Sequence, residues 1–292
     1  MFITQFLKYI QFEKRYSQHT LTAYQNDLLQ YQQFLTLSES DILTANHHVV
    51  RAWMVSLMDD DIEPRSINRK ISTLRSFYKF LLKEKAISEN PVLKIQTPKT
   101  AKKLPSFISE EKITHLLDTD FFEEDFKGLR DKLVIELFFG TGIRLSELIG
   151  IKTNDFFQEE KTIKVLGKRN KERIIPVNLS LAVLLQKYIV EKNIQELSNN
   201  TDFLIVTDNG APAYPKFIYR LVSKYLTLVS TQEKKSPHIL RHSFATTLLN
   251  KGADINAIKD LLGHANLAAT QVYTHNSIER LKSIYKQAHP KA

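Results

Sequence analysis

The chain contains no cysteine among its 292 residues. This absence excludes disulfides, thiolate zinc sites and thiol nucleophiles together, so any nucleophile must be an oxygen or a nitrogen atom. It also agrees with a reducing cytosol, and we expect a cytoplasmic protein. No stretch approaches the roughly 20 apolar residues of a membrane span, and the N-terminus lacks the unbroken apolar core of a signal peptide. We therefore expect no association with a membrane.

The sequence also lacks internal repeats and low-complexity tracts, which argues against solenoid and array architectures. Its 42% hydrophobic and 25% charged residues are the balance of a soluble globular protein with a sizeable core. Its length exceeds the roughly 100 to 200 residues of a typical single domain. We therefore expect two domains.

Positive charge is concentrated in one part of the chain. The formal net charge is +9, and residues 64–104 hold eleven Lys or Arg against two Glu, which accounts for the whole excess. The basic residues of this belt are Arg65, Arg69, Lys70, Arg75, Lys79, Lys83, Lys85, Lys94, Lys99, Lys102 and Lys103. Such a belt favours a polyanionic partner, because neutralising phosphates releases condensed counterions. A solvated face without a partner would have the same composition.

Residues 1–93 are predicted to form an N-terminal helical domain, because apolar residues recur three and four positions apart and no strand pattern interrupts them. The helix that starts at Pro64 is the clearest. Its apolar stripe consists of Ile67, Ile71, Leu74, Tyr78 and Leu81. Its other face carries four cations that we predict to contact DNA: Arg65, Arg69, Lys79 and Lys83. The proline- and lysine-rich stretch 94–106 is predicted to be an interdomain linker.

Residues 107–292 are predicted to form a larger, mostly helical domain. The stretch GLRDKLVIELFFGTG indicates a buried helix ending in glycine, and a new helical stretch begins at Arg144. The β-branched runs KTIKVL and ERIIPV predict a β-hairpin with Lys168 near its tip. Further helices are predicted over 179–192, 216–229 and from 236 onward, with a short strand over 203–206.

Three short segments of this second domain carry residues suited to chemistry, although each has a simpler explanation by itself. Arg144 suits an ion pair with Glu147 on one helical face. His238 and His242 stand four apart, but no HExxH-type carboxylate or thiolate accompanies them, so we expect no metal and no cofactor. Tyr273 would by itself be a packing residue, because a phenol with a pKa near 10 is a poor nucleophile without neighbouring cations.

In combination these residues suit attack on a phosphodiester. That reaction requires stabilisation of charge on the non-bridging oxygens, a proton for the leaving oxygen and an in-line nucleophile. Two arginines can hold a phosphate bidentately, a lysine can supply the proton and histidines can donate hydrogen bonds. The chain has one candidate for each role: Arg144, Lys168, His238, Arg241, His264 and Tyr273.

This ordered set resembles the catalytic signature of the tyrosine recombinases of the phage integrase family, and the wording around it resembles the family's Xer-type (XerC- and XerD-like) members. The similar stretches are TGIRLSELIGI, LGKRNKERIIPV, SPHILRHSFATTLLNKGADINAIKDLLGHANLAATQVYTH and ERLKSIYKQAHPKA. The resemblance covers nearly the whole chain. It implies a mainly α, C-shaped clamp, with a small four-helix SAM-like DNA-clamping domain (1–93) and a larger, mostly helical catalytic domain (107–292) containing a small antiparallel sheet.

The resemblance also implies a role for each residue of the set. Tyr273 would attack the scissile phosphate and form a 3′-phosphotyrosyl bond without ATP. The phosphate would be bound by Arg144 and Arg241, with help from His238 and His264. Lys168 would protonate the leaving 5′-hydroxyl; Lys171 and Arg173 lie on the same hairpin and could instead reach a minor groove or remain solvated.

The implied partners are double-stranded DNA with a specific recombination site and further subunits. Exchange between two duplexes requires four active sites, so we expect a homo- or hetero-tetramer, the latter with a paralogous recombinase, and docking of a C-terminal helix (277–288) on the neighbouring subunit. Chromosome-dimer resolution before cell division, regulated by a septal DNA translocase, is the expected role. The alternatives are a mobile-element integrase, a type IB topoisomerase-like enzyme and a DNA-binding protein without catalysis.

Overall fold

The computed structural model describes residues 1–100, 107–167, 171–197 and 201–263. The chain divides into two compact units, Met1–Leu104 (the N-terminal unit) and Pro105–Ala292 (the C-terminal unit). The predicted fold class, mainly α with a small antiparallel sheet, is confirmed. The predicted domain and linker boundaries stay predictions.

None of the helices that the described ranges contain combines the length and the apolar character needed to cross a bilayer.

The N-terminal unit is built from helices joined by short turns, as predicted. They are α1 (Phe2–Lys8), which continues into a π-helical turn (Tyr9–Glu13), α2 (Gln18–Leu37), α3 (His47–Asp59) and α4 (Pro64–Lys83). The positions at which α2 and α3 begin are explained by side chains that cap the first backbone N–H groups. The Ser17 hydroxyl accepts from the Thr20 N–H at the start of α2, and the Asn46 side chain accepts from His48 at 2.9 Å at the start of α3. Helix α4 begins with Pro64, whose missing N–H costs nothing at that position.

The core of this unit lies between α1, α2, α3 and α4. The predicted apolar stripe of α4 is fully buried: Ile67, Ile71, Leu74, Tyr78 and Leu81. Two buried phenols meet at its centre, with 3.0 Å between the hydroxyl oxygens of Tyr31 and Tyr78. Burial outweighs this hydrogen bond and raises the pKa of Tyr31 to about 12, so the pair stays neutral and satisfied inside the core.

The first residues after this helical bundle pack along α4. Ile95 is buried, and its carbonyl oxygen accepts from Arg75 Nη2 at 2.9 Å. The carbonyl oxygen of Pro98 accepts from Asn68 Nδ2 at 3.0 Å. The described start of the predicted linker is therefore attached to the N-terminal unit, whereas residues 101–106 lie outside the described ranges.

The C-terminal unit surrounds one buried helix. Its helices are α5 (Glu110–Asp118), α6 (Phe126–Thr141), α7 (Leu145–Leu148), α8 (Leu179–Ile194), α9 (Pro215–Val229), α10 (Pro237–Asn250) and α11 (Ile255–Leu262). Helix α6 is the buried one, because the apolar residues from Leu133 to Phe139 are almost fully inaccessible and it packs against α8 and α10. The prediction of a buried helix that ends in glycine is confirmed.

A three-stranded antiparallel sheet in the order β1-β2-β3 carries the predicted hairpin. Its strands are β1 (Phe156–Phe157), β2 (Thr162–Leu166) and β3 (Glu172–Pro176). Ile163 pairs with Ile175, and Val165 with Arg173. Strand β1 was not predicted, since two residues are too few to show a period-two pattern.

The predicted strand over 203–206 is wrong. Phe203 and Val206 form only isolated bridges, to Lys152 and Pro212. The run is buried and apolar, which explains its strand-like pattern, but its two ends pair with different loops. No ladder can extend along it for that reason.

Candidate active site

A tight backbone turn between α6 and α7 positions Arg144. Gly142 ends α6 in the left-handed conformation, with a φ of 60°. A Cβ at this residue would clash with the ring of Phe244 and lie 2.8 Å from Leu262 Cδ2, so only glycine fits. Two residues later Arg144 starts α7, and its N–H donates to Glu147 Oε2 at 2.8 Å.

The Arg144 guanidinium is held at two points and remains partly exposed. Its Nη1 donates to Glu147 Oε1 at 2.8 Å, and its Nη2 donates to the carbonyl oxygen of Gly263 at 2.9 Å. The ion pair with Glu147, which the sequence suggested as the simpler role of Arg144, is therefore present. About a quarter of the side chain, 26%, still faces solvent, so the group is fixed in orientation and accessible to a ligand.

Arg241 approaches the same place from α10. Its Nη2 donates to the carbonyl oxygen of Leu262 at 2.7 Å, and its Nη1 donates to the carbonyl oxygen of Gly142. The two arginines thus hold the carbonyls of residues 262 and 263 in turn, at the end of α11. Two guanidiniums on successive carbonyls lie side by side, and the negative end of the helix dipole favours their charge.

Burial and two neighbouring cations change the pKa of Arg241. Desolvation, together with the nearby charges of Arg144 and Arg173, outweighs the attraction of Glu147 and lowers the pKa of Arg241 to about 10. The guanidinium remains charged at neutral pH. Arg144 and Arg173 share the buried carboxylate of Glu147, which leaves positive charge in excess beside Arg241 and forms a pocket that favours an added anion.

The carboxylate of Glu147 binds both Arg144 and Arg173. Only 1% of its side chain is exposed, and its two carboxylate oxygens accept from Arg173 at 2.6 and 2.9 Å. Burial opposes its ionisation, but the hydrogen bonds from Arg173 and Arg144 outweigh that effect and lower the pKa of Glu147 to about 2. From the sequence, Glu147 was predicted only as an ion-pair partner of Arg144. Its second partner, Arg173 on β3, was not predicted.

The prediction that Arg173 reaches a minor groove or stays solvated is wrong. Only 6% of its side chain is exposed, because the pleat of β3 places it on the same face as Ile175, towards the core. The sequence contains no polar-apolar alternation that could show this, because Ile174 and Ile175 follow Arg173 directly. A buried arginine is rare without a carboxylate partner, and Glu147 provides one.

The structure describes three of the six predicted catalytic residues. It brings Arg144 and Arg241 together, and it places His238, exposed, in the first turn of α10, three residues before Arg241. Lys168, His264 and Tyr273 lie outside the described residues, as does the predicted docking helix 277–288. The residues directly before Lys168 and His264 are described. The N–H of Gly167 donates to the carbonyl of Lys171 at 2.7 Å across the hairpin turn, and Gly263 ends α11 just before His264.

The four cations predicted to contact DNA all lie on α4, but they are not equivalent. Arg69 pairs with the buried carboxylate of Asp27, and Lys83 Nζ lies 3.7 Å from Glu13 Oε2. Arg65 and Lys79 are exposed, and no carboxylate of the described residues lies within 4.0 Å of either. The last two are the more available to an external phosphate.

The basic belt also contains a residue that faces inward. Lys70 is buried, and its Nζ lies 3.2 Å from Asp27 Oδ1. The hydroxyl of Thr73 donates to the other oxygen of the same carboxylate at 2.9 Å. Part of the basic belt therefore neutralises the buried carboxylate of Asp27.

The pKa of Glu147 predicts a change of stability in acid. Its ordinary value is 4.5 and its value in the fold is about 2. A lowered pKa contributes stability that is complete above about 4.5 and is lost as the pH falls towards 2, a total of about 3 kcal/mol. We expect the difference in unfolding free energy between the native chain and Glu147→Gln to shrink by about 2 kcal/mol between pH 7 and pH 3, with the remainder lost below pH 3. Denaturant unfolding at pH 7, 5, 4 and 3 measures it; a constant difference over this range would contradict the assignment.

The comparisons with known proteins agree with this architecture. The chain matches the phage integrase family over residues 106–280 and the N-terminal SAM-like domain of phage integrases over residues 3–85. The chain belongs to the phage integrase family.

Its relatives narrow the class further. It is 40% identical over 314 residues to tyrosine recombinase XerC of Chlorobaculum parvum, covering 98% of this chain and 94% of the relative. It is 38% identical over 292 residues to tyrosine recombinase XerD of Staphylococcus haemolyticus, covering 99% of each. The predicted resemblance to the Xer-type tyrosine recombinases is confirmed, and the chain is a recombinase of this class.

A solved structure shares the fold. The crystal structure of XerH site-specific recombinase bound to palindromic difH substrate, a post-cleavage complex, has a TM-score of 0.73 and 23% sequence identity. The match covers 96% of this chain and 83% of XerH.

Proposed function

We propose that this chain is a site-specific recombinase that cleaves and rejoins double-stranded DNA one strand at a time. The observation that carries the proposal is the placement of Arg144 and Arg241 on successive carbonyls at the end of α11. Its relatives are named XerC and XerD, and XerH was solved with its DNA substrate. These names support DNA as the partner of this chain as well.

In the proposed mechanism Arg144 and Arg241 hold the non-bridging oxygens of the scissile phosphate, with His238 and His264 donating further hydrogen bonds. The Tyr273 hydroxyl attacks phosphorus and passes its proton to His238, which acts as the base, and the bond to the 5′ oxygen breaks. That oxygen takes a proton from Lys168. The developing negative charge meets two guanidiniums that were already oriented, so little reorganisation is needed in the transition state.

The product retains the energy of the phosphodiester as a 3′-phosphotyrosyl bond. A 5′-hydroxyl from the partner strand can attack it and restore the DNA, so neither ATP nor a cofactor is required. We propose that this occurs in the cytoplasm, within a homo- or hetero-tetramer on paired sites. Resolution of chromosome dimers before cell division, with control by a septal DNA translocase, is the role that the XerC and XerD relatives favour.

Selection of bound duplexes from a random pool, followed by a two-site assay on the selected sequence, tests the proposal. We expect the native chain, alone or with a paralogue from the same cell, to exchange strands between two copies of the site. Relaxation of supercoiled DNA without exchange would favour a topoisomerase. Binding without covalent cleavage would favour a DNA-binding protein that lacks catalysis.

The exposed cations of α4 predict a difference in salt dependence. Replacing Arg65 or Lys79 by Gln should lower the affinity for all duplexes and reduce the slope of log K against log salt by about one, since each change removes one phosphate contact. Arg220→Gln is the matched control, because Arg220 is exposed on α9 in the other unit. The slope is measured by fluorescence anisotropy at several salt concentrations, and equal slopes in all variants would argue against contact through α4.

The tail predicts a separation of folding from assembly. A chain that ends at Lys282 should still fold, but its cooperative binding to paired sites should be weakened and its recombination abolished. The reason is that the apolar stripe of residues 277–288 is expected to dock on the neighbouring subunit. Calorimetry and gel-shift titration measure the two properties; unchanged cooperativity in the truncated chain would overturn this prediction.

A further inference from the structure

We propose that Arg173 is a positioning residue for the recombination reaction, which aligns the hairpin of Lys168 with the arginine pocket. The inference deepens the proposed function and rests on it. Arg173 has no part in the binding and transfer steps assigned above. Its side chain is buried, so its effect must pass through the residues that it contacts.

The first contact supports Arg144. The planar guanidinium of Arg173 donates from Nη1 and Nη2 to the two oxygens of Glu147. The same carboxylate accepts from the Arg144 side chain and backbone. Rotation of the Glu147 carboxylate would move Arg144, and the bidentate pair with Arg173 prevents that rotation.

The second contact fixes the end of α11. Arg173 Nε donates to the carbonyl oxygen of Leu261 at 3.2 Å. A Cβ built on Gly263 would lie 3.2 Å from Arg173 Nη1 and 3.3 Å from its Cζ, so the guanidinium packs against this glycine. Gly263 provides the carbonyl that Arg144 holds, and the next residue is His264.

The third contact reaches the hairpin turn. A Cβ on Gly167 would lie 3.6 Å from Arg173 Nη1 and 3.4 Å from Glu147 Oε1. Gly167 also closes the turn by its bond to Lys171, and Lys168 follows it directly. One buried guanidinium therefore binds the carboxylate that orients Arg144 and lies close to the residue before Lys168 and the residue before His264.

Lysine cannot replace this geometry. Its single Nζ could reach Glu147 but could not span both carboxylate oxygens and the Leu261 carbonyl at once. An Arg173→Lys variant keeps the buried charge balanced while it releases the hairpin from α7 and α11. We expect Lys168 to lose its alignment with the leaving oxygen more than the arginines lose the phosphate.

A change of leaving group distinguishes positioning from a purely structural role. A duplex with sulphur in place of the 5′ bridging oxygen releases a thiolate, which needs no proton from Lys168. The single-turnover rate of covalent complex formation is measured on a nicked suicide duplex of the selected site, with oxygen or sulphur at that position. DNA affinity and melting temperature are measured beside it.

We expect Arg173→Lys to lower the rate on the oxygen substrate about 100-fold, the cost of a misplacement on the order of 1 Å. The loss on the sulphur substrate should be no more than about 10-fold, because general-acid catalysis is then dispensable. Lys164→Met is the matched control. It removes a cation of the same sheet, paired with Asp155 at 3.4 Å and Glu172 at 3.8 Å, and should leave both rates near the native values.

The outcomes separate the inference from the proposed function. A native chain that forms no covalent complex refutes the proposed function. A native chain that cleaves, with Arg173→Lys equally active or equally impaired on both substrates, overturns the positioning role. If Arg173→Lys does not fold, the comparison is made with Arg173→Gln, whose amide still donates to Glu147. Failure of both variants to fold would make Arg173 a structural residue and also overturn it.

Discussion

Replacing Tyr273 by Phe should abolish covalent DNA cleavage while the affinity for the selected site stays within about two-fold of the native value. The phenol oxygen is the proposed nucleophile, so its removal leaves no group to attack, whereas the aromatic ring is kept. Loss of a nucleophile commonly lowers the rate of such reactions by about 10⁴ to 10⁶. We expect no covalent complex on a suicide duplex by denaturing gel.

Tyr219→Phe is the matched control for this change. Tyr219 lies on α9 with half of its surface exposed, and its phenol has no part in the proposed reaction. The Tyr219→Phe variant should cleave DNA at the rate of the native chain. A covalent complex formed by the Tyr273→Phe variant would show that another residue attacks the phosphate.

Replacing Arg241 by Lys should lower the single-turnover cleavage rate by about 100- to 1000-fold, the effect of losing one preorganised donor to a developing charge. The substitution keeps the positive charge. It cannot keep the geometry, because one ammonium group cannot bind the carbonyls of Gly142 and Leu262 and also face a phosphate in a fixed plane. Binding of the DNA site should change little, since many other contacts contribute to it.

Arg220→Lys provides the control for the loss of a guanidinium elsewhere, because Arg220 is exposed on α9. Its cleavage rate should equal that of the native chain. A rate for Arg241→Lys within about three-fold of native would mean that charge alone, without the planar geometry, is sufficient at this position.

Much of the fold follows from periodicity in the sequence. The stripe from Ile67 to Leu81 predicted the buried face of α4, because a helical repeat of apolar residues can be satisfied only by burial on one side. The hairpin around Gly167 and the glycine end of α6 were equally predictable. In these places local pattern and tertiary structure agree.

The errors arose where the partner is distant in the chain. Arg173 lies on the same strand face as Ile175, but its burial depends on Glu147, 26 positions earlier. The ion pair between Arg69 and Asp27 was not predicted either, because Asp27 lies on another helix. The run 203–206 has the composition of a strand, and the loops that it meets decide that it is not one. A periodic pattern indicates which face is buried but not what lies opposite.

In the candidate site, too, the residue types could be predicted from the sequence but their partners could not. The arginines and histidines were predicted by type and order, and the structure adds that Arg144 and Arg241 meet at the end of α11. It also adds that the support is ionic: Glu147 is held as a carboxylate between Arg144 and Arg173. Such support is not visible in spacing, because a glutamate three residues after an arginine is usually a surface ion pair.

The central claim, that this cationic pocket activates Tyr273 for attack on DNA, is tested most directly by locating the bond to DNA. The native chain is trapped on a nicked duplex of its selected site, digested with protease and nuclease, and the nucleotide-bearing peptide is sequenced by mass spectrometry. The account predicts a 3′-phosphate ester on the oxygen of Tyr273 and on no other residue. A nucleotide linked to any other side chain would contradict it.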